Sequence, residues 1–144
     1  MNKLTFHVRA LAIAAAIAII ASCTSMSDSM SSQQIALSGS NEVPPVTTSA
    51  TGTGTVTINA DRTVSARITV TGMTATASHI HEGAAGTNGP VIVPFTKVAD
   101  NTFAAPDGAK LTESQYASYK AGNLYVNVHS AAHPGGEVRA QLKP

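Results

Sequence analysis

The chain has 144 residues, with nine Lys and Arg against eight Asp and Glu, and 43% of its residues are hydrophobic. This length suits one folded domain, and the scattered basic residues exclude the clustered basic face that nucleic-acid binding requires. The single cysteine excludes a disulfide within the chain.

An apolar segment precedes the part of the chain that is expected to fold. Residues 10–21 carry no charge and follow the positively charged Lys3 and Arg9. As a helix, this segment would span about 18 Å, which is too short for a hydrocarbon core of about 30 Å. The sequence therefore predicts a signal peptide at residues 1–22 rather than a transmembrane helix.

The signal peptide ends in Ile20-Ala21-Ser22-Cys23, which resembles the bacterial lipobox. The resemblance implies that Cys23 carries lipid and that residues 23–34 form a polar, flexible tether. The next residue is Thr24 rather than an aspartate, which implies anchoring at the outer membrane, facing the periplasm or the cell surface. An ordinary secretory signal with an unmodified cysteine is the alternative.

Residues 35–144 are predicted to form one domain made mostly of strands. Apolar and polar residues alternate at 54–58 and again at 64–70, on both sides of a turn, which predicts a hairpin with one buried face. Segments 123–130 and 136–142 alternate in the same way and predict a second antiparallel pair. Thr112 and Gln115 have the spacing of a capping box, which predicts a short helix near 113–120.

Three blocks of sequence resemble the CHRD domain, which is named from chordin. They are LSGSNEVPPV at 37–46, HIHEGAAGTNGPVIV at 79–93 and LYVNVHSAAHPGGEVRAQL at 124–142. The resemblance covers nearly all of 35–142 and implies a secreted or lipid-anchored domain without implying a reaction. Together with the alternating strands, it predicts an all-β, antiparallel Greek-key-like β-sandwich, immunoglobulin-like or superoxide-dismutase-like, with one short helix.

The stretch from His79 to Glu82 also resembles the strand of Cu/Zn superoxide dismutases that supplies two copper-binding histidines. The strand that contains His129 resembles a later strand of the same enzymes. This chain has no counterpart of their bridging histidine, zinc loop or disulfide. The resemblance therefore implies a related sandwich and a copper or zinc site, and not full dismutase activity.

Strand geometry leads to a histidine cluster independently of this resemblance. Residues i and i+2 share one face of a strand, so His79 and His81 point outward if Ile80 faces the core, and His129 follows the same rule. Imidazole nitrogen suits copper and zinc, and His133 in the following turn is a candidate fourth ligand. Ordinary imidazoles have a pKa of about 6.5, so metal affinity is expected to fall below about pH 6.

The same histidines have a second interpretation, in which they hydrogen-bond the neighbouring loops and hold them in place. Glu82 is placed to orient an imidazole under either interpretation. The sequence therefore leaves two functions open. One is a non-catalytic envelope domain that binds a protein or polysaccharide, and the other is a periplasmic copper- or zinc-binding protein with or without a redox role.

Overall fold

The computed structural model describes residues 32–144, so the predicted signal peptide, Cys23 and most of the tether lie outside the described residues. No helix within 32–144 has the length and apolar character to cross a membrane. A 3-10 turn is present at Gly39–Asn41. The other elements are β1 Ser32–Ser38, β2 Thr51–Ile58, β3 Val64–Thr71, β4 Ala75–Glu82, β5 Val91–Pro94, β6 Thr96–Ala99, β7 Thr102–Ala104, α1 Glu113–Lys120, β8 Leu124–Ser130 and β9 Val138–Gln141.

The strands form one antiparallel sheet in the order β5-β4-β8-β9-β1-β2-β3-β7-β6. The two edge strands, β5 and β6, are consecutive in the chain and are separated by Phe95 alone. The Phe95 N–H donates to the carbonyl of Ser78 on β4 at 3.0 Å. The sheet therefore curls until its edges meet, and the predicted all-β fold is confirmed as one continuous, nearly closed sheet.

The predicted local elements are present. The hairpin consists of β2 and β3, paired from Thr51–Thr71 to Ile58–Val64, and β8 pairs antiparallel with β9. The helix α1 begins with the predicted capping box, because Thr112 and Gln115 exchange hydrogen bonds of 2.8 and 3.2 Å. The strand β1 begins at Ser32, which pairs with Thr57, so residues 32–34 of the predicted tether are part of a strand.

The hydrophobic core follows the alternation of the strands. Isoleucines on β3 and β4 and valines on β8 and β9 have no measurable exposure, and they pack in one cluster with Leu37, Phe103 and Leu124. The opposite face of β4, β8 and β9 is also covered, but its side chains are polar. This second, polar layer contains the predicted histidines, and the loops that cover it make it part of the interior.

The junction between β1 and β9 differs from the other strand pairs. Its register consists of the single pair Ser38–Arg139, whereas β1 pairs with β2 along all seven of its residues. Near the start of β1 a side chain makes the contact instead, since Gln33 Oε1 accepts a hydrogen bond from the backbone N–H of Lys143 at 3.0 Å. A cleft lies against this junction.

Candidate metal centre

Strands β4 and β8 bring three histidines to one face of the sheet. The two strands pair antiparallel, with Ala77 opposite His129 and His79 opposite Asn127. Ile80 is fully buried in the core, so His79 and His81 project from the other side of β4, as predicted. His129 projects from the same face of β8, two residue pairs along the ladder from His79.

The histidines are less exposed than predicted. Only 8% of His81 and 9% of His129 is exposed, and His79 is partly buried. The loop at 83–90 and the turn at 131–137 lie over this face, because their carbonyls accept hydrogen bonds from the imidazoles. The outward-facing surface expected from strand alternation is therefore an interior site beneath two loops.

Hydrogen bonds to these loops define the tautomers of two imidazoles. His81 Nδ1 lies 2.9 Å from the carbonyl oxygen of Gly89, and His129 Nδ1 lies 2.9 Å from that of Pro134. A carbonyl only accepts, so each Nδ1 carries the proton and each Nε2 presents a lone pair. The predicted loop contacts are present, and the same contacts direct two lone pairs toward His79.

The ligating nitrogens of the three histidines lie within 4.8 Å of one another. His79 Nδ1 is 3.0 Å from His129 Nε2, which accepts the His79 proton in this state. A metal ion bound by nitrogen at about 2.0–2.1 Å separates its ligands by roughly 3.3–4.1 Å. Small side-chain rotations therefore suffice to give all three nitrogens one common ligand.

Burial keeps the three imidazoles neutral. Burial, together with the charges of His129 and His81, lowers the pKa of His79 from 6.5 to about 4. Burial also lowers the pKa values of His81 and His129, against the hydrogen bonds to Gly89 and Pro134. Neutral imidazole is the form that binds metal, so little of the cluster is protonated at neutral pH.

Buried acceptor atoms without donors surround this cluster. His81 Nε2, Asn127 Oδ1 and Glu42 Oε1 are all inaccessible and have no hydrogen-bond partner among residues 32–144. A Cβ at Gly136, whose φ is 126°, would lie 2.6 Å from both the Asn127 amide nitrogen and Glu42 Oε1, so only glycine fits beside this pair. Unpaired buried acceptors are costly, and a cation or a donor group satisfies them.

A stack of side chains fixes the orientation of His81. The Tyr125 ring lies parallel to the His81 ring, with centroids 4.8 Å apart and 9° between planes. The Arg139 guanidinium lies 3.4 Å above the centre of the other face of Tyr125, which adds a cation–π contact. Arg139 also donates to the carbonyl of Thr87 at 2.9 Å, so the stack is tied to the covering loop.

Two other predicted residues occupy different positions. The cluster of converging ligand atoms does not include His133, whose backbone N–H donates to Ser130 Oγ at 3.1 Å and whose carbonyl accepts from Gly136. Glu82 accepts a hydrogen bond from Ser118 on α1 and does not orient an imidazole. Its position follows from alternation, since Glu82 is one residue beyond His81 and points to the opposite face of β4.

The sequence reasoning missed Tyr125, Asn127, Arg139 and Glu42. Alternation along LYVNVHS places Tyr125 and Asn127 on the same face as His129, so the pattern held enough information to find these two. Arg139 shares that face because β9 pairs with β8 at Asn127. Glu42 lies in a loop after β1 and is brought to Asn127 by tertiary contacts that no spacing rule indicates.

The family model of the CHRD domain matches residues 33–142, from β1 to the end of β9. The chain belongs to the CHRD domain family. All three converging histidines of this CHRD domain lie inside the matched region. Comparison with curated proteins and with solved structures gives no match, so the likeness to superoxide dismutases rests on the sequence pattern alone.

The substitution Glu42→Gln should make the free energy of unfolding of the CHRD domain depend less on pH between 4.5 and about 7. Burial raises the pKa of Glu42 from 4.5 to about 7, against the charge of Arg139 and the nearby polar groups of Val43 and Asn127, which favour the charged form. The stability that the raised pKa of Glu42 contributes is fully present below pH 4.5. It is lost as pH rises to about 7, because Glu42 ionises in the unfolded chain at a lower pH than in the folded protein. Urea unfolding should show Glu42→Gln gaining stability relative to the native protein across this range.

The exposed Thr53, whose side chain does not titrate in this range, provides the control, and Thr53→Ala should show a difference from the native protein that does not change with pH. The histidines act with the opposite sign, because their lowered pKa values make stability fall as pH drops below 6.5. That contribution is common to the native protein and both variants. A difference for Glu42→Gln that stays constant with pH would contradict a buried, neutral carboxyl.

Proposed function

We propose that this protein is a lipid-anchored, non-catalytic envelope protein whose CHRD domain binds one copper or zinc ion through His79, His81 and His129. The observation that carries the proposal is the convergence of their nitrogens, with His79 Nδ1 already 3.0 Å from His129 Nε2. The loop carbonyls that orient His81 and His129 act as the outer partners that metal-bound histidines usually have.

The donor set favours copper over zinc. Imidazole nitrogen suits both ions, and copper binds such ligands more tightly among the divalent metals. Three protein ligands leave one coordination position for water or a small ligand, as in open metal sites. Copper held in this way would supply one-electron chemistry, and zinc would supply a Lewis acid.

A structural role is the second candidate, and the hydrogen bonds to Gly89 and Pro134 favour it. In that case His81 and His129 hold loops against the sheet, and the domain serves as a binding module for an envelope protein or polysaccharide. A substitution of His79 distinguishes the metal site from the structural role, because His79 is hydrogen-bonded to His129 and not to a loop. Removing His79 therefore removes a ligand and leaves both loop contacts in place.

Metal should raise the melting temperature of the native protein. A ligand bound only to the folded state at a hundredfold excess over its Kd stabilises that state by about 2.7 kcal/mol. For a domain of this size the expected rise is about 10 °C. Thermal unfolding with and without Cu(II) or Zn(II) measures this shift, which should be larger for Cu(II).

Three single variants test whether the melting shift comes from metal bound to the histidine cluster. His79→Ala should lose the metal-dependent shift while its metal-free melting temperature stays near the native value. His129→Ala should lose the shift and also destabilise the metal-free protein, because its bond to Pro134 is broken. His133→Ala should keep the full shift. An unchanged melting temperature of the native protein with either metal would exclude the proposed site and leave the structural role.

Metal affinity should persist at a lower pH than the sequence alone indicated. Protons compete with metal for imidazole, and the pKa of His79 is about 4 instead of the ordinary value. Burial also lowers the pKa values of His81 and His129, so calorimetric titration should show the affinity weakening at a lower pH than at an unburied histidine site. A blocked peptide of residues 78–83 has the same two histidines without burial, so its affinity should already fall below about pH 6.5.

The proposed lipid anchor is tested separately through Cys23. Cys23→Ser removes the thiol that would carry the diacylglycerol, so the variant should lose lipid labelling. We expect it to accumulate as unprocessed precursor or as a form released by an alkaline wash of membranes. Metabolic labelling with a fatty acid, followed by fractionation, measures both effects. Retention of Cys23→Ser in washed membranes would show that a different feature anchors the protein.

A further inference from the structure

The side chain of Asn127 lies among the three histidines of the cluster. Asn127 pairs with His79 across β4 and β8, and His129 is two residues further along the same strand, so all three side chains project from one face. His81 is the diagonal neighbour of Asn127, because it lies two residues beyond His79. Opposite and diagonal side chains of an antiparallel pair are about 4.5–8 Å apart. Asn127 is therefore a neighbour of every histidine in the cluster.

The amide oxygen of Asn127 is buried without a donor. Asn127 is 2% exposed, and its Oδ1 has no hydrogen-bond partner in the part of the chain that the structure describes. His81 Nε2 is buried in the same state. Two neighbouring acceptors cannot satisfy each other, so the space that they share suits a group that accepts lone pairs from both. A metal ion is such a group.

The surroundings of Asn127 determine which end of its amide meets the histidines. Nδ2 lies beside Oε1 of the buried Glu42, because a Cβ on Gly136 would be 2.6 Å from both atoms. Burial raises the pKa of Glu42, and Asn127 opposes this shift, as an N–H group beside a carboxylate does. Burial lowers the pKa of His81, and Asn127 opposes that shift too, as an oxygen beside an imidazolium does. The nitrogen is therefore turned toward Glu42 and the oxygen toward His81.

An amide oxygen completes the donor set that the histidines begin. Zinc is four-coordinate in closed protein sites and accepts oxygen ligands at about 2.0–2.2 Å, and divalent copper also combines nitrogen with oxygen ligands. The set contains no sulfur, which is the donor that monovalent copper prefers. Three imidazoles and one amide oxygen therefore favour a divalent ion.

We propose that Oδ1 of Asn127 takes the coordination position that the three histidines leave, and that it closes the metal site to water and small anions. This inference rests on the proposed metal site and specifies its fourth ligand. Sites whose ligands all come from the protein hold their ion in place, whereas sites that act on a substrate keep a position open. The CHRD domain therefore retains its metal ion and does not present it to a substrate.

The test measures whether the bound metal contacts water. The native protein is loaded with one equivalent of Cu(II), and the relaxation rate of water protons is recorded before and after a titration with azide. A closed site should enhance the relaxation only weakly and should give no azide charge-transfer band. Asn127→Ala removes the ligand oxygen and leaves room for water, so both signals should appear. Its affinity for Cu(II) should fall at least tenfold.

Two further variants separate ligation from a structural role of the amide. Asn127→Asp keeps an oxygen at the same position and adds a negative charge, so it should bind Cu(II) at least as tightly as the native protein and stay closed to azide. Asn59→Ala is the matched control, because Asn59 Oδ1 is also buried and unpaired within residues 32–144, in the turn between β2 and β3. It should equal the native protein in affinity, relaxation and azide binding.

Strong relaxation enhancement and an azide band in the Cu(II)-loaded native protein would overturn the proposal, because water would then hold the fourth position. This measurement decides the question even if Asn127→Ala does not fold. A folded Asn127→Ala that stays closed to water and azide would also overturn it, whatever its affinity. These outcomes leave the three-histidine site intact. Failure of the native protein to bind Cu(II) or Zn(II) would instead remove the metal site and its fourth ligand together.

Discussion

The antiparallel pairing of β4 with β8 is the constraint on which the rest of the structure depends. It extends from Ala75–Ser130 to Glu82–Leu124 and joins the edge strand β5 to the centre of the sheet. Because side chains alternate, the pairing that buries Ile80 in the core also sends His81 to the opposite face. A slip of one residue would exchange the two faces, so the hydrophobic core and the histidine cluster are specified together.

The face of β4, β8 and β9 that is opposite to the hydrophobic core is polar, and loops cover it. This covering determines the protonation of its imidazoles. Covering polar side chains is tolerated only when they are hydrogen-bonded, and the loop at 83–90 supplies carbonyls to His81 and Arg139. The same loop removes water from the imidazoles, and their pKa values fall as a result. Loop bracing and lone-pair orientation are therefore two effects of one set of hydrogen bonds, and the two interpretations of the histidines are compatible.

The polar layer that holds the histidine cluster also contributes Glu42 and Arg139 to the cleft beside β1. Arg139 stacks on Tyr125 beside the imidazoles, and its backbone pairs with Ser38 at the end of the cleft where β1 and β9 join. Glu42 lines the cleft, and its carboxyl adjoins Asn127 near His81. The two features therefore share residues of one layer, although each is defined by its own geometry.

The sequence by itself determined the elements that depend on short-range pattern. Alternation specified the β2–β3 and β8–β9 pairs, the capping box specified α1, and the spacing of His79 and His81 specified their common face. Only the tertiary structure decided which distant groups meet: Glu42 reaches Asn127 from another loop, His133 stays outside the cluster, and β1 pairs with β9 at one residue. Periodicity reports which way a side chain points from its own strand. It does not report how loops fold over that strand, and burial by those loops sets both the pKa values and the ligand geometry.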